Sequence, residues 1–233
     1  MAIYRLFLVG VFALPLWAEG AGVLDSVCAP ADFALTADPN AAHWRGVEPA
    51  VAATDPWGKP MPGARTEIRS RWTDASLYFL FSANYEAMHL TPKPTPEKET
   101  WGIWDYDVVE VFIGHDFQDI NRYKEIEVTP QGEFVDIAVQ YVPGKGPQLN
   151  WLWDSGMQYK VRVDQERKMW FCEMRFPWSA LDPRTPAAGH ELRLNLYRIE
   201  GAPPHRKYLV WRPVHNPSYH TPAAFGRLRL TER

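Results

Sequence analysis

The central part of the chain alternates apolar and polar residues with a period of two, which is the pattern of β-strands. In segment 107–114, one face of the predicted strand is apolar, and the other carries Glu110 between apolar neighbours. In segment 123–128, Glu125 shares a face with a second glutamate, whereas the opposite face is apolar. A third alternating segment, 133–140, follows a Pro-Gln-Gly turn. The pattern predicts a sheet with one core face and one face polar enough to bind a ligand.

Short alternating segments continue along most of the chain. We predict further strands at 65–72, 77–85, 158–164, 169–176, 191–199, 208–212 and 225–230. Segment 31–44 predicts a short strand followed by a brief helix ending near Trp44, and one helical turn is expected near 178–181. No helical crossovers separate the strands, so the pattern favours an all-β fold, an antiparallel β-sandwich of jelly-roll type with about ten strands.

Long loops rich in Pro and Gly are predicted at 47–62, 91–99 and 143–150. The loop 91–99, T-P-K-P-T-P-E-K-E, lacks the N–H groups for a regular ladder of hydrogen bonds. We therefore expect a surface excursion that brings Trp101 and Trp104 to the edge of the sheet.

The first 21 residues have the features of a secretory signal: one Arg, an apolar run at 6–16 and small residues at 18, 20 and 21. The run is too short to span a bilayer, so no membrane span is expected. The alternative is a buried element of the mature fold, but the run has no strand or helix periodicity. We expect cleavage near 18–21, a single domain over 22–233, and a secreted or periplasmic location.

Composition narrows the function classes. The chain has 233 residues and a formal net charge of −3, with no run of Lys or Arg. Nucleic-acid binding needs clustered basic charge, so no nucleic-acid partner is expected. The 11 Trp and 21 Pro residues fit a β-domain with long loops. The sequence leaves the oligomeric state open.

Two cysteines, Cys28 and Cys172, allow at most one disulfide. Pairing suits an oxidising compartment, whereas two free thiols, with Cys172 in apolar company, are equally compatible with the sequence. No Cys or His spacing resembles a zinc site.

Several blocks together resemble the family 9 carbohydrate-binding modules and related family-9-like domains. They follow in the family's order and cover most of 22–233: W-D-Y-D-V-V-E-V-F-I (104–113), Y-K-E-I-E-V-T-P-Q-G-E-F-V-D (123–136), W-F-C-E-M-R-F-P-W-S-A-L (170–181), N-L-Y-R-I-E-G (195–201), V-W-R-P (210–213) and F-G-R-L-R-L (225–230). The resemblance implies a β-sandwich that holds a mono- or oligosaccharide between two tryptophans and supports carbohydrate catabolism without being an enzyme itself.

The resemblance also implies site residues. Trp104 and Glu110, six residues apart, match the family's stacking tryptophan and sugar-bonding carboxylate. Trp211 is the candidate for the opposing tryptophan, and Arg198 is a second polar contact. The candidate set is completed by Trp101 and Glu125.

Each assignment has a structural alternative. Glu110 could instead form a buried ion pair with Arg198, because a buried unpaired carboxylate is costly. Trp170 and Trp178 have apolar neighbours and are expected in the core. Loop residues 215–220 are weaker candidates, since polar residues are ordinary in loops.

Family members often carry structural calcium. The oxygen donors that would bind it are Asp105, Asp107 and Asp136, although no compact loop of alternating acids appears. No other cofactor is indicated.

Two other functions stay open from the sequence. A glycoside hydrolase would use Glu110 with Glu125 or Asp136 as its carboxylate pair. A haem-binding electron-transfer domain of similar fold would use Met or His ligands such as Met88, His89 or Met157, but no C-x-x-C-H attachment motif is present.

Overall fold

The structure is a computed structural model that describes residues 22–232. The predicted signal segment, 1–21, lies outside the described residues. The strands of the described part are β1 Val23–Cys28, β2 Ala50–Ala52, β3 Thr66–Trp72, β4 Ser76–Asn84, β5 Val108–Gly114, β6 Arg122–Val128, β7 Phe134–Val142, β8 Gly146–Asn150, β9 Gln158–Asp164, β10 Met169–Pro177, β11 Glu191–Glu200, β12 Lys207–Val210 and β13 Gly226–Thr231. The helical elements are α1 Trp178–Leu181 and the 3₁₀ turns Ala42–Trp44, Ile103–Asp105 and Pro222–Ala224.

The strands form one sheet in the order β8-β7-β6-β5-β11-β13-β1-β3-β4-β10-β9, with β12 added beside β11 and β2 beside β3. The all-β prediction is confirmed. One detail differs from the expected antiparallel sheet: β1 runs parallel to both of its neighbours, β13 and β3. Parallel neighbours need long connections, and the chain supplies them because β13 is remote from β1 and a long segment separates β1 from β3.

The sheet curls so that its two halves pack face to face. The main hydrophobic core takes Val109, Val111 and Ile126 from one half, and it takes Phe79 and Met174 from the other half. The apolar face predicted for β5 and β6 is therefore the core face. The face carrying Glu110 and Glu125 turns away from this core.

Several segments differ from the sequence prediction. Strand β1 was not expected, and β2 forms inside the predicted loop 47–62, where it pairs with β3. Segment 143–150 was expected to be a loop, but Gly146–Asn150 pairs with β7 at the edge of the sheet, where Pro147 is tolerated. The strand expected within 31–44 does not form. Instead, the backbone N–H groups of Thr36 and Ala37 donate to the Glu173 carboxylate. The brief helix near Trp44 is present as a 3₁₀ turn.

Each half of the sheet also has a covered outer face. On β4 and β10, a cluster around Trp44, Tyr78 and Leu80 packs under the segment that follows β1. On β5, β6 and β11, a second cluster that includes Phe112 and Tyr197 packs under loops from several parts of the chain. This second outer face positions the candidate site.

Cys28 and Cys172 are free thiols in the structure, so the alternative of two unpaired cysteines is the one observed. Trp170 and Trp178 are buried in the main core, as predicted. None of the helices in the described part of the chain has the length and apolar character needed to cross a membrane.

Candidate functional site

A cavity of about 350 Å³ opens on the outer face of β5, β6 and β11. Its lining combines aromatic rings with carboxylates: Trp101, Trp104, Phe112, Trp151, Tyr208, Tyr219, Glu110, Glu125, Glu127, Ile137, Leu149, Ile199, Pro217 and His220. Strand alternation creates this composition, because the face that turns away from the main core is the one that carries the three glutamates.

The three glutamates form the floor of the cavity. Glu110 on β5 is directly opposite Glu127 on β6, and Glu125 is opposite Phe112 two positions along the same pair of strands. All three side chains are buried. Like charges directly opposite each other on adjacent strands destabilise a sheet, so this arrangement opposes ionisation of all three.

Burial raises the pKa of each of these carboxyl groups, because the charged form loses its hydration. The pKa values of Glu110 and Glu127 lie well above their usual range, through burial first and the neighbouring carboxylates second. Burial raises the pKa of Glu125 to about 7, and a hydrogen bond from the Glu127 carboxyl acts in the opposite direction on it. At neutral pH, the carboxyl group of Glu125 therefore lies near its midpoint.

Several polar atoms of the cavity lack a partner. Among the described residues, Glu125 Oε2, Glu127 Oε2 and Tyr219 Oη are buried and make no hydrogen bond within the protein. Buried polar groups of folded proteins are nearly always paired, so unpaired atoms that line a cavity indicate a place for an external partner.

His220 closes one side of the floor. Its Nε2 lies 3.8 Å from Glu125 Oε2, and its Nδ1 is 2.7 Å from Tyr123 Oη. Burial lowers the pKa of His220 to about 4, so the imidazole is neutral at pH 7 and does not offset the charge of the glutamates.

The aromatic wall consists of three tryptophans. The ring centroids of Trp101 and Trp151 are 3.6 Å apart, and those of Trp101 and Trp104 are 4.6 Å apart. Trp101 is 61% exposed, so the cluster forms part of the cavity mouth. Tyr219 stacks on the buried Tyr197 with centroids 4.1 Å apart and also lines the cavity. The cavity thus has flat apolar surfaces above an acidic floor.

Arg206 fixes the position of the Trp104 loop. Its guanidinium donates hydrogen bonds to the backbone carbonyl groups of Trp104, Asp105 and Tyr106. These contacts hold the 3₁₀ turn that carries Trp104, and the positive charge acts against the raised pKa of Glu110. Arg206 therefore belongs to the support of the site.

The structure brings together four of the six candidate residues, Trp101, Trp104, Glu110 and Glu125. Trp211 and Arg198 do not line the cavity. Trp211 packs against the main core. Its backbone N–H donates a hydrogen bond to the backbone carbonyl of Leu196 at 2.9 Å.

Arg198 faces the other side of the sheet. The register of β5 and β11 places Tyr197 opposite Glu110 and Arg198 opposite Val109. Arg198 is buried there and pairs with Glu200 at 3.3 Å. The ion pair between Glu110 and Arg198 that was considered as an alternative does not form.

Sequence reasoning missed other lining residues. Glu127 shares the face of Glu125, so alternation alone could have identified it. Tyr208 on β12 was also missed, whereas Tyr219 and His220 belong to the weaker candidate loop 215–220. The positions of these residues and of Trp151 depend on how the segments fold over the sheet.

Several residues that the hydrolase and haem-binding alternatives require do not line the cavity. Asp136 faces away from the cavity and binds the Ser155 backbone N–H at 2.8 Å, so it does not pair with Glu110. Met88 and Met157 pack against the main core, and His89 stacks on Tyr106. No group of three or more His, Cys, Asp or Glu within 22–232 is arranged to hold a metal ion, so the calcium expectation gains no support from carboxylate clustering.

Residues 40–233 match the family model described as "Carbohydrate family 9 binding domain-like". A structure from Bacteroides uniformis, described as a candidate carbohydrate-binding protein, aligns with a TM-score of 0.70 at 18% identity, covering 90% of this chain and 99% of that one. A family 9 module from Caldicellulosiruptor kristjanssonii in complex with cellotriose aligns with a TM-score of 0.63 at 15% identity, covering 91% and 94%. A family 9 module from the same organism in complex with glucose aligns with a TM-score of 0.61 at 15% identity, covering 90% and 96%.

A protein of Arthroderma benhamiae named "Extracellular protein" is 26% identical over 188 residues, which cover 75% of this chain and 82% of that protein. The structural likenesses establish the shared β-sandwich fold.

Proposed function

This chain belongs to the carbohydrate family 9 binding domain-like family, and from that premise we propose that it is a secreted protein that binds a mono- or oligosaccharide in the cavity above β5 and β6. The observation that carries the proposal is the combination, in one cavity, of tryptophan rings and buried carboxylates with unpaired oxygens. Family 9 modules of the same fold from Caldicellulosiruptor kristjanssonii bind cellotriose and glucose.

The chemistry of a pyranose ring suits this lining. The ring has an apolar C–H face, which packs on an aromatic surface, and a belt of hydroxyl groups, which donate to carboxylate oxygens. The volume of about 350 Å³ lies at the small end of the roughly 300–1,000 Å³ typical of ligand pockets. We therefore expect Trp104 and Trp151 to contact the ring and the glutamates to bind its hydroxyl groups.

We propose a binding role without catalysis. Glycosidases place two carboxylates on either side of the scissile bond, usually about 5–9.5 Å apart. Here Glu110, Glu125 and Glu127 share one face of two adjacent strands and form a single floor. Such a floor can bind one side of a sugar, but it supplies no group on the opposite side of the bond.

Secretion is proposed from the N-terminal sequence pattern, and the similarity to a protein named as extracellular supports it. A role in the catabolism of external carbohydrate would follow from that location.

Calorimetric titration of the protein with glucose, xylose, cellobiose and cellotriose tests the proposal. We expect saturable binding and a loss of about tenfold or more in affinity for Trp104→Ala, because the stacking surface is removed. Trp57→Ala is the matched control, since Trp57 is 56% exposed and does not line the cavity.

Absence of heat with every sugar, or equal affinity of Trp104→Ala and Trp57→Ala, would contradict the proposed site. Hydrolysis of aryl glycosides by the protein, lost in Glu110→Gln, would contradict the binding-only role.

A further inference from the structure

The charge of the cavity floor is unbalanced. Glu110, Glu125 and Glu127 lie together on one buried face, and no Lys or Arg is among the described residues that line the cavity. His220 is the single basic side chain of the lining, and burial keeps it neutral at pH 7. A floor of this kind lacks the countercharge that buried carboxylates normally have.

The nearest cation is engaged elsewhere. The Arg206 guanidinium donates through Nη1 and Nη2 to three backbone carbonyl groups of the Trp104 loop, while its Nε is buried without a partner among the described residues. Its charge acts on Glu110 from outside the lining. Asp105, in the same loop, adds further negative charge near Glu127.

The unpaired atoms of the floor are acceptors. Glu125 Oε2 and Glu127 Oε2 are buried and have no hydrogen-bond donor among the described residues. A neutral hydroxyl group supplies one donor to such an oxygen. A primary ammonium group supplies three donors together with the missing positive charge.

The aromatic walls of the cavity also favour a cationic group. Cations bind to the faces of aromatic rings, and Trp is the most favourable ring for this interaction. Trp101, Trp104, Trp151, Tyr208 and Tyr219 all line the cavity.

From this juxtaposition of uncompensated acids, unpaired oxygens and aromatic walls, we infer that the preferred ligand is a sugar with a free amine, such as a 2-amino-2-deoxyhexose or a short oligomer of it. The inference rests on the proposed sugar site and specifies its ligand. The ammonium group lies over Glu125 and Glu127, while the ring packs on the tryptophans.

Proton balance follows from the charges. Binding of an ammonium group favours the ionised form of Glu125, whose pKa is about 7 in the free protein. At pH 6 the free carboxyl group is mostly protonated, so binding releases a proton to solvent. Affinity for the amine therefore rises between pH 5 and pH 7, whereas affinity for a neutral sugar, whose hydroxyl groups only hydrogen-bond to the carboxylate, rises less.

The test is a calorimetric comparison of glucosamine, N-acetylglucosamine and glucose with the full-length protein. The acetylated sugar is the matched neutral analogue. At pH 7 we expect glucosamine to bind at least tenfold more tightly than either neutral sugar. At pH 6, titrations in two buffers of different ionisation enthalpy should show more proton release for glucosamine than for glucose.

Two isosteric variants locate the preference. Glu125→Gln and Glu127→Gln should weaken the binding of glucosamine more than that of glucose, so that most of the glucosamine preference is lost. Glu166→Gln, in an exposed turn, removes the same net charge far from the cavity and should keep the preference. Retention of the preference in both cavity variants would overturn the inference, as would its equal loss in Glu166→Gln.

The wild-type data separate this inference from the proposed function. Binding of glucose with equal or weaker binding of glucosamine would overturn the amine preference and leave the sugar site standing. Failure of all three sugars to bind would overturn both.

Discussion

The buried carboxylate of Glu173 and the three glutamates of the cavity floor lie on two outer faces of the same sheet, and they differ in their hydrogen-bond partners. Glu173 on β10 accepts hydrogen bonds from the backbone N–H groups of Thr36 and Ala37, both at 2.6 Å, and from Trp44 Nε1 at 2.9 Å. The three glutamates of the cavity floor are equally buried, but Glu125 and Glu127 each keep an oxygen without a partner.

The difference separates a structural acid from a ligand-binding acid. Glu173 fastens the segment after β1 to the sheet and completes the cluster around Trp44. The cavity glutamates fasten no segment, and their burial weakens the fold because three like groups share one face. Burial alone does not indicate the role of an acid; its hydrogen-bond partners do.

The largest effect on stability expected from this comparison comes from substitution of Glu173. Glu173→Ala leaves buried N–H groups of the segment 36–44 without an acceptor, so we expect a loss of about 3 kcal/mol or more in the free energy of unfolding. Urea denaturation measures this loss. Glu173→Gln, which keeps one acceptor oxygen, should lose less. A loss under about 1 kcal/mol for Glu173→Ala would show that the hydrogen-bond network does not anchor the segment.

The second effect is a pH dependence of stability. A carboxyl group with a raised folded-state pKa binds its proton more tightly in the native state, so stability is lost as pH rises from the unfolded-state value of about 4.5 to the folded-state value of about 7 for Glu125. The slope for one group is at most about 1.4 kcal/mol per pH unit. We expect unfolding in urea to become easier between pH 5 and pH 7.

Glu125→Gln is the control for this dependence, because it removes one of the titrating groups and should reduce the slope. The raised pKa values of Glu99, Glu110 and Glu127 account for the slope that remains. Constant or increasing stability over that window in the wild-type protein would contradict the raised pKa.

The smallest effect is expected for Glu127→Gln. This change removes a carboxyl group from the floor and keeps the shape of the side chain, so the free energy of unfolding should stay within about 1 kcal/mol of the wild-type value or increase. This small change contrasts with the large loss expected for Glu173→Ala. Destabilisation as large as that of Glu173→Ala would remove the distinction between the two sets of acids.

Strand alternation predicted much of the site. The apolar face of β5 and β6 and the opposite face with Glu110 and Glu125 are where the period of two puts them, because successive side chains of a strand alternate in direction. The Pro-rich loop was expected to bring Trp101 and Trp104 to the edge of the sheet, and both residues line the cavity in the structure.

The register between strands could not be predicted from one sequence. A shift of one residue between β5 and β11 exchanges Tyr197 for Arg198 on the face of Glu110. The observed register sends Arg198 to Glu200 and leaves the cavity without its expected cation.

Contacts between remote segments were also out of reach. Tyr219 and His220 reach the cavity because the loop before β13 folds over the outer face, and local sequence patterns do not encode such a contact. β8 was missed because a Gly/Pro-rich hairpin looks like a loop until its edge pairing with β7 is known.

The central claim is that the cavity glutamates are held for a ligand, and ¹³C NMR titration of the side-chain carboxyl groups tests it most directly. Spectra of ¹³C-labelled protein, assigned with Glu110→Gln, Glu125→Gln and Glu127→Gln, would be recorded across pH with and without glucosamine. The account predicts that Glu125 titrates near pH 7, that Glu110 and Glu127 titrate well above the usual range of a glutamate, and that the sugar shifts these signals while leaving the Glu173 signal unchanged. Titration of all three groups near pH 4.5, with no response to any sugar, would contradict it.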